Sequence, residues 1–234
     1  MFKNNKKIDR SINTDALGFQ VRESYKTART NIDYSVIKKG CKKIAFTSSV
    51  KGEGKTVTAM NVASALAQQV DTKVLVIECD LRRPRVHSAL KIAPAPGITN
   101  YLNNECKVSD IIQNTKLDNM KAISYGAIPP NPSELLASDD MKNLIKDIEK
   151  DYDYIIFDTP PVGVVIDAVP IINKADGVVI VVKNKSTTYP QLNKTVETLE
   201  RSGGKILGVI INKVNPTEER KYKKGYYGGY TYGY

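Results

Sequence analysis

The stretch 44-IAFTSSVKGEGKTVTAMNVA-63 decides the fold. Ile44 to Phe46 is a short apolar run of the kind that forms a buried strand. Val57, Met60, Ala63 and Leu66 recur at helical spacing. Between the two lies Ser49-Val50-Lys51-Gly52-Glu53-Gly54-Lys55-Thr56. A strand, a glycine-bearing turn ending in Gly-Lys-Thr, and then a helix make a phosphate-binding loop in its expected context. A helix N-terminus leaves backbone N–H groups unpaired and carries partial positive charge, so it attracts phosphate. Gly52 and Gly54 allow the backbone to pass close to that phosphate. Lys55 reaches the outer phosphates and the Thr56 hydroxyl is a ligand for Mg²⁺. Ser49, Lys51, Gly52, Glu53, Gly54, Lys55, Thr56 and Val57 are therefore the expected nucleotide-binding residues. Ser49 stands where the usual first glycine of the motif falls, and serine is small enough to take that place.

Outward from this loop, strands and helices alternate. Ala16 to Ile37 has a helical pattern and Gly40 ends it. Lys73–Cys79 (KVLVIEC) is a near-continuous apolar run, as in a parallel strand covered on both faces. Residues 85–118 read as short helices and loops. A strand is expected over Met120–Ser124, and then a helix capped by Ser133 that carries Leu135, Leu136, Met141, Leu144, Ile145 and Ile148. Further strands are expected at Ile155–Asp158, Asp176–Val182 and Lys205–Asn212. Asp167 is read as the cap of a short helix through Ile172, and Pro190 as the first turn of a helix to Arg201. This order argues for an α/β fold with a mainly parallel sheet and helices on both faces. Ligands of such sheets bind beyond the carboxyl ends of the strands, where the loop, Asp80, Asp158 and Asn212 all fall.

Two acidic groups join the loop. Asp158 follows Ile155-Ile156-Phe157, the Walker B arrangement, and can hold Mg²⁺ beside the phosphates. Asp80 ends a second apolar strand. The expected metal set is Thr56, Asp80 and Asp158.

Bulk properties fit one α/β domain, or at most two small ones. The chain has 234 residues and a formal net charge of +10, which favours anionic partners such as nucleotide, a membrane surface, an acidic polymer or nucleic acid. Cys41, Cys79 and Cys106 have no metal-ligand spacing, and their odd number fits a reducing compartment. No apolar run reaches the roughly 18 residues of a membrane span, and the N-terminus lacks an apolar signal core. The chain is expected to be soluble or held at a membrane by something other than a span of its own. The last residues, KYKKGYYGGYTYGY, have almost no aliphatic side chains and cannot build a core.

The run Glu78-Cys79-Asp80-Leu81-Arg82 makes the resemblance specific. The chain is similar to bacterial tyrosine kinases of the capsule and exopolysaccharide type, which resemble the deviant-Walker P-loop ATPases and not eukaryotic kinases. That family's additional acidic motif is an apolar strand followed by Asp-x-Asp-x-Arg; here Glu78 stands at the first Asp, while Asp80 and Arg82 match. Glu23, Lys26, Arg29, Asn31 and Ile32 resemble its subunit-contact motif, with Lys26 in place of an Arg, which keeps the charge and loses the planar fork. Leu81–Pro84, Gly126–Leu136 and Asn212-Lys213-Val214 also resemble family segments, the last being the one that contacts the base. Tyr222, Tyr226, Tyr227, Tyr230, Tyr232 and Tyr234 resemble the family's C-terminal tyrosine cluster.

The resemblance implies a kinase domain over 1–214, including a contact helix at about 16–38, and a flexible acceptor tail over 215–234. It implies ATP and Mg²⁺ as cofactors, with Lys55, Glu78, Asp80 and Arg82 catalytic and Glu78 assisting the acceptor. It implies autophosphorylation in trans within a ring-like homo-oligomer, and a role in polysaccharide synthesis and export. The partners implied are a membrane adaptor whose cytoplasmic end activates the kinase and a cognate tyrosine phosphatase, with no nucleic acid. The place implied is the cytoplasm, at the inner face of the membrane. Two other readings stay open at this point: a partitioning-type ATPase switch (MinD- or ParA-like) binding membrane or DNA, and a nucleotide-binding module without catalysis. The first is disfavoured by Val50, which occupies the position of that group's signature lysine.

Overall fold

In the computed structural model, residues 18–214 are described. They form one sheet of seven strands in the order β3-β4-β2-β5-β1-β6-β7. The strands are β1 (Lys42–Ser48), β2 (Val74–Glu78), β3 (Ile112–Asn114), β4 (Met120–Ile123), β5 (Tyr154–Asp158), β6 (Gly177–Lys183) and β7 (Ile206–Asn212). All pair in parallel except β3, a short antiparallel edge strand on β4. The sequence pattern of residues 85–118 signals only short helices and loops. Three residues without an apolar run carry no strand signal of their own, and β3 exists because β4 offers it an open edge.

The helices are α1 (Phe19–Ser35), α2 (Lys55–Ala67), α3 (Val86–Leu90), α4 (Ile98–Leu102), α5 (Val108–Ile111), α6 (Pro132–Ala137), α7 (Asp139–Ile148), α8 (Val169–Ile172) and α9 (Tyr189–Arg201). They cover both faces. Strand side chains alternate between faces, so the apolar runs divide into two cores. Ile44, Phe46, Val74, Val76, Ile156, Val179 and Val181 pack with α1, α2 and α3. Ala45, Leu75, Ile77, Ile155, Phe157, Val178 and Ile180 pack with α4, α6, α7, α8 and α9. Burial on both sides is the physical reason these strands are apolar throughout.

Two local expectations are corrected. Ser133 does not cap the helix that follows the proline-rich loop. Asn131 holds the cap position, Pro132 the first turn, and the expected single helix is two. The break is at Ser138, whose hydroxyl accepts from Met141 N at 3.2 Å and donates to Leu135 O at 2.8 Å. A serine that satisfies backbone groups on both sides stops one helix and starts the next. Asp167 is not a helix cap either. It lies inside a 3₁₀ turn, Ile166–Ala168, and its carboxylate grips Arg82.

α1 is pinned at its C-terminal half. Ile32 is 3% exposed and belongs to the core, and Arg29 Nη1 donates to Ala65 O at 3.2 Å. Asp33 accepts from the Tyr154 hydroxyl and lies 3.8 Å from Lys42 Nζ. Toward the N-terminal half, Glu23 and Lys26 pair on the surface at 2.8 Å, and Asn31 is exposed. Replacing Phe46, which is fully buried between β1 and α2, with Ala is expected to cost about 3–5 kcal/mol; urea unfolding of the two proteins measures it.

Candidate functional site

The carboxyl ends of β1, β2, β5 and β6 converge on one site. Gly52 and Gly54 have φ of +82° and +89°, a conformation that favours glycine and turns the chain from β1 into α2. A Cβ on Gly54 would also meet Asn212 Nδ2 at 2.1 Å. Asn212, at the end of β7, donates to Glu53 O at 2.9 Å and so holds the loop from outside. Lys51 and Gly52 form the exposed tip, and Val57 stands 42% exposed on the first turn of α2.

Glu53 is buried, which its place in a glycine-rich loop does not suggest. Its carboxylate accepts from Val50 N at 2.8 Å, from Lys183 N at 3.2 Å and from the Thr187 hydroxyl. It thus ties the loop to the end of β6. Ser49 is also buried, and its hydroxyl accepts from Thr195 Oγ1 of α9 at 2.9 Å. Neither Thr187 nor Thr195 is singled out by the sequence, because each partner lies more than 130 residues from the loop.

The acidic groups meet around Lys55. Its Nζ lies 2.6 Å from Asp158 Oδ1 and 3.7 Å from Asp80 Oδ2. Thr56 Oγ1 donates to Asp158 Oδ2 at 2.7 Å. Burial lowers the Lys55 pKa, but Asp158, Asp80 and Glu78 outweigh it and leave the ammonium above its ordinary value. Asp80 is raised, chiefly by burial, against the pull of Lys55.

Glu78 is fully buried and opposite Asp158 in the β2–β5 register. Burial first, and the Asp158 charge second, push its pKa up to about 8. Both of its oxygens are engaged by backbone N–H groups. Oε1 accepts from Asp80 N at 3.1 Å, and Oε2 from Arg85 N at 2.6 Å and Val86 N at 2.8 Å. The side chain expected to assist an acceptor is therefore closed off from solvent and clasps the β2–α3 loop. Arg82 is half exposed and pairs with Asp167 of the β5–α8 loop. His87 packs against the Tyr125 ring at 5.2 Å. The six tail tyrosines, Tyr222 to Tyr234, lie outside the described residues.

The donor set is all oxygen: the Thr56 hydroxyl and the Asp80 and Asp158 carboxylates. That suits Mg²⁺, which keeps several waters and takes one or two carboxylates together with phosphate oxygens. The crowding of buried carboxylates around one lysine is the observation that fits a cation here, since added positive charge would relieve it.

The AAA_31 family, described as an AAA domain, matches residues 41–207. The tyrosine-protein kinase YwqD of Bacillus subtilis (strain 168) is 39% identical over 206 residues, 88% of this chain and 86% of that protein. Among solved structures, the chimerical protein CapA2B2 is 33% identical with a TM-score of 0.78, covering 82% of this chain and 84% of that one. The kinase domain of the Escherichia coli tyrosine kinase ETK is 26% identical with a TM-score of 0.79, covering 100% and 89%.

The Glu78 carboxyl binds its proton more tightly folded than unfolded. Its contribution to stability is therefore fully present below the ordinary value of 4.5 and is lost as pH rises through about 8. Without nucleotide or divalent cation, the melting temperature is expected to fall between pH 5 and pH 8.5, and Glu78→Gln to flatten that slope. Thermal melts of both proteins across the range measure it.

Proposed function

The chain belongs to the bacterial tyrosine kinase family, and from that premise we propose that it phosphorylates the tyrosines of its own C-terminal tail, one copy acting on another. The protein is a tyrosine-protein kinase. The observation that carries the proposal is the meeting of Lys55, Thr56, Asp80 and Asp158 at the start of α2, in a chain that ends in six tyrosines within 13 residues.

The chain's own groups account for the chemistry. The backbone N–H groups of Gly52 to Val57 cradle the phosphates of ATP. Lys55, already poised over two carboxylates, turns its charge to the transferring phosphoryl group. Thr56, Asp80 and Asp158 would hold Mg²⁺, which when bound supplies neutralising charge at the β and γ phosphates. The acceptor phenol oxygen forms a bond to the γ phosphorus as the bond to the β–γ bridging oxygen breaks and ADP leaves. A free phenol has a pKa near 10, so its proton must be taken as the bond forms. We assign that to the Glu78–Asp80 pair, with Asp80 at the edge of the buried cluster. Glu78 acts behind it, holding the Asp80–Val86 backbone in place.

The wider role follows from the same family. The kinase would work with a membrane adaptor whose cytoplasmic end activates it, at the inner face of the membrane, in the control of capsular or extracellular polysaccharide synthesis and export. Among the described residues no helix is long and apolar enough to cross a membrane, which agrees with anchoring by a partner. Copies would assemble into a ring through α1, where Glu23, Lys26 and Asn31 lie on the surface and Arg29 and Ile32 fix the helix to its own core. A tyrosine phosphatase would reset the tail. Each phosphate adds about −1.5 to −2 charge, so a fully modified tail becomes strongly acidic and the ring is expected to come apart; light scattering before and after modification reads that change.

Incubation of the protein with MgATP and the cytoplasmic peptide of a candidate adaptor, followed by mass spectrometry, tests the proposal. Phosphate is expected on Tyr222–Tyr234, and in Lys55→Met it is expected to fall at least about a hundredfold. Hydrolysis of ATP with an unmodified tail would overturn the kinase reading of the tail. Because Lys55→Met leaves Asp158 and Asp80 unpaired, a melting curve of the variant belongs in the same experiment.

A further inference from the structure

The chain leaving Asp158 runs through a loop, residues 159–167, that is anchored at two points. Gly163 lies against the phosphate loop, where a Cβ would meet Ser49 O at 2.3 Å. Asp167 holds Arg82, two residues beyond Asp80. Between these anchors Val164 and Ile166 stand 48% and 71% exposed. The buried Val162, by contrast, joins the core. Isolated exposed aliphatic residues are ordinary on a protein surface. Here two of them alternate along one short loop whose ends are fixed to two walls of the same site.

The occupant follows from the chemistry of the acceptor. A tyrosine that presents its oxygen to the γ phosphate carries an apolar ring behind that oxygen. The 20 residues that follow Val214 contain no Val, Leu, Ile, Met or Phe. Apart from Pro216, the tyrosine rings are the large apolar groups this segment has to bury. We propose that Val164 and Ile166 form an apolar lip that grips the ring of the acceptor tyrosine, donated by residues 215–234 of a second copy, and thereby favours tyrosine over serine or threonine. The inference rests on the reading that the tail is the substrate of this site. Asp80, Asp158 and Lys55 act on the oxygen and phosphate, and the lip acts on the ring. Because the lip touches no phosphate, it governs acceptor binding and leaves nucleotide binding alone. Thr231, between Tyr230 and Tyr232, has the same reach and no ring, and it stays unmodified.

The test uses the full-length chain and a synthetic peptide of residues 220–234 in excess, with MgATP and the adaptor peptide. Val164→Ser/Ile166→Ser is compared with wild type and with the conservative Val164→Ile/Ile166→Val. The serine variant is expected to raise KM for the peptide roughly tenfold, the size of effect that small changes in an apolar pocket produce. Its kcat and its affinity for a fluorescent ATP analogue are expected to stay within about twofold, and the conservative variant to behave as wild type. An unchanged KM, a parallel loss of nucleotide affinity, or phosphate on Thr231 would overturn the lip while the kinase stands. If wild type itself modifies neither peptide nor tail, the reading of the tail as substrate fails, and the lip with it.

Discussion

Glu78 and Asp158 stand directly across from each other on neighbouring strands, both fully buried, and Lys55 is the cation that makes this tolerable. Buried carboxylates repel, and burial penalises each charge further. The protein answers in two ways. Glu78 is pushed up to about 8 by burial and by the Asp158 charge, against the backbone N–H groups of Asp80, Arg85 and Val86, which bond its oxygens and favour the charged form. Asp158 takes Lys55 on one oxygen and Thr56 on the other. The start of α2 is thereby drawn onto the end of β5, and the loop between β1 and α2 must close in the shape a phosphate needs. A site assembled this way gathers three buried carboxyl groups around one lysine, an excess of acidic groups that added positive charge would relieve.

The loops around this centre are fastened to one another rather than left free. Glu53 joins the phosphate loop to β6, Thr195 joins it to α9, and Asn212 joins it to β7. Arg82 and Asp167 join the β2–α3 loop to the β5–α8 loop. These contacts hold the charged groups of the site from the inside, while Val164 and Ile166 are exposed. If the proposed lip holds, this division separates phosphate chemistry from acceptor recognition.

The alternation of strands and helices, the phosphate loop and the carboxylates at strand ends were all legible in the chain. Each rests on local signals: apolar period, glycine in a tight turn, and a helix that starts at Lys55. The expectations that failed were also local ones. Ser133 and Asp167 have the right chemistry for helix caps, yet Asn131 holds that position for one helix, and the other residue serves a distant arginine. Cap preference is a weak force, and an ion pair or a proline at the first turn outweighs it.

The sequence by itself determined the fold class, the Gly-Lys-Thr turn between β1 and α2 and the acidic residues at the strand ends, because spacing along one chain specifies which strand ends carry which groups. Only the tertiary structure decided what those groups do to one another. Glu78 is a buried clasp because its strand lies beside β5, and no spacing in the chain reports which strands are neighbours. Glu53 is a brace because β6 ends beside the loop. Burial and mutual charge set the behaviour of an acid, and both come from residues far apart in sequence.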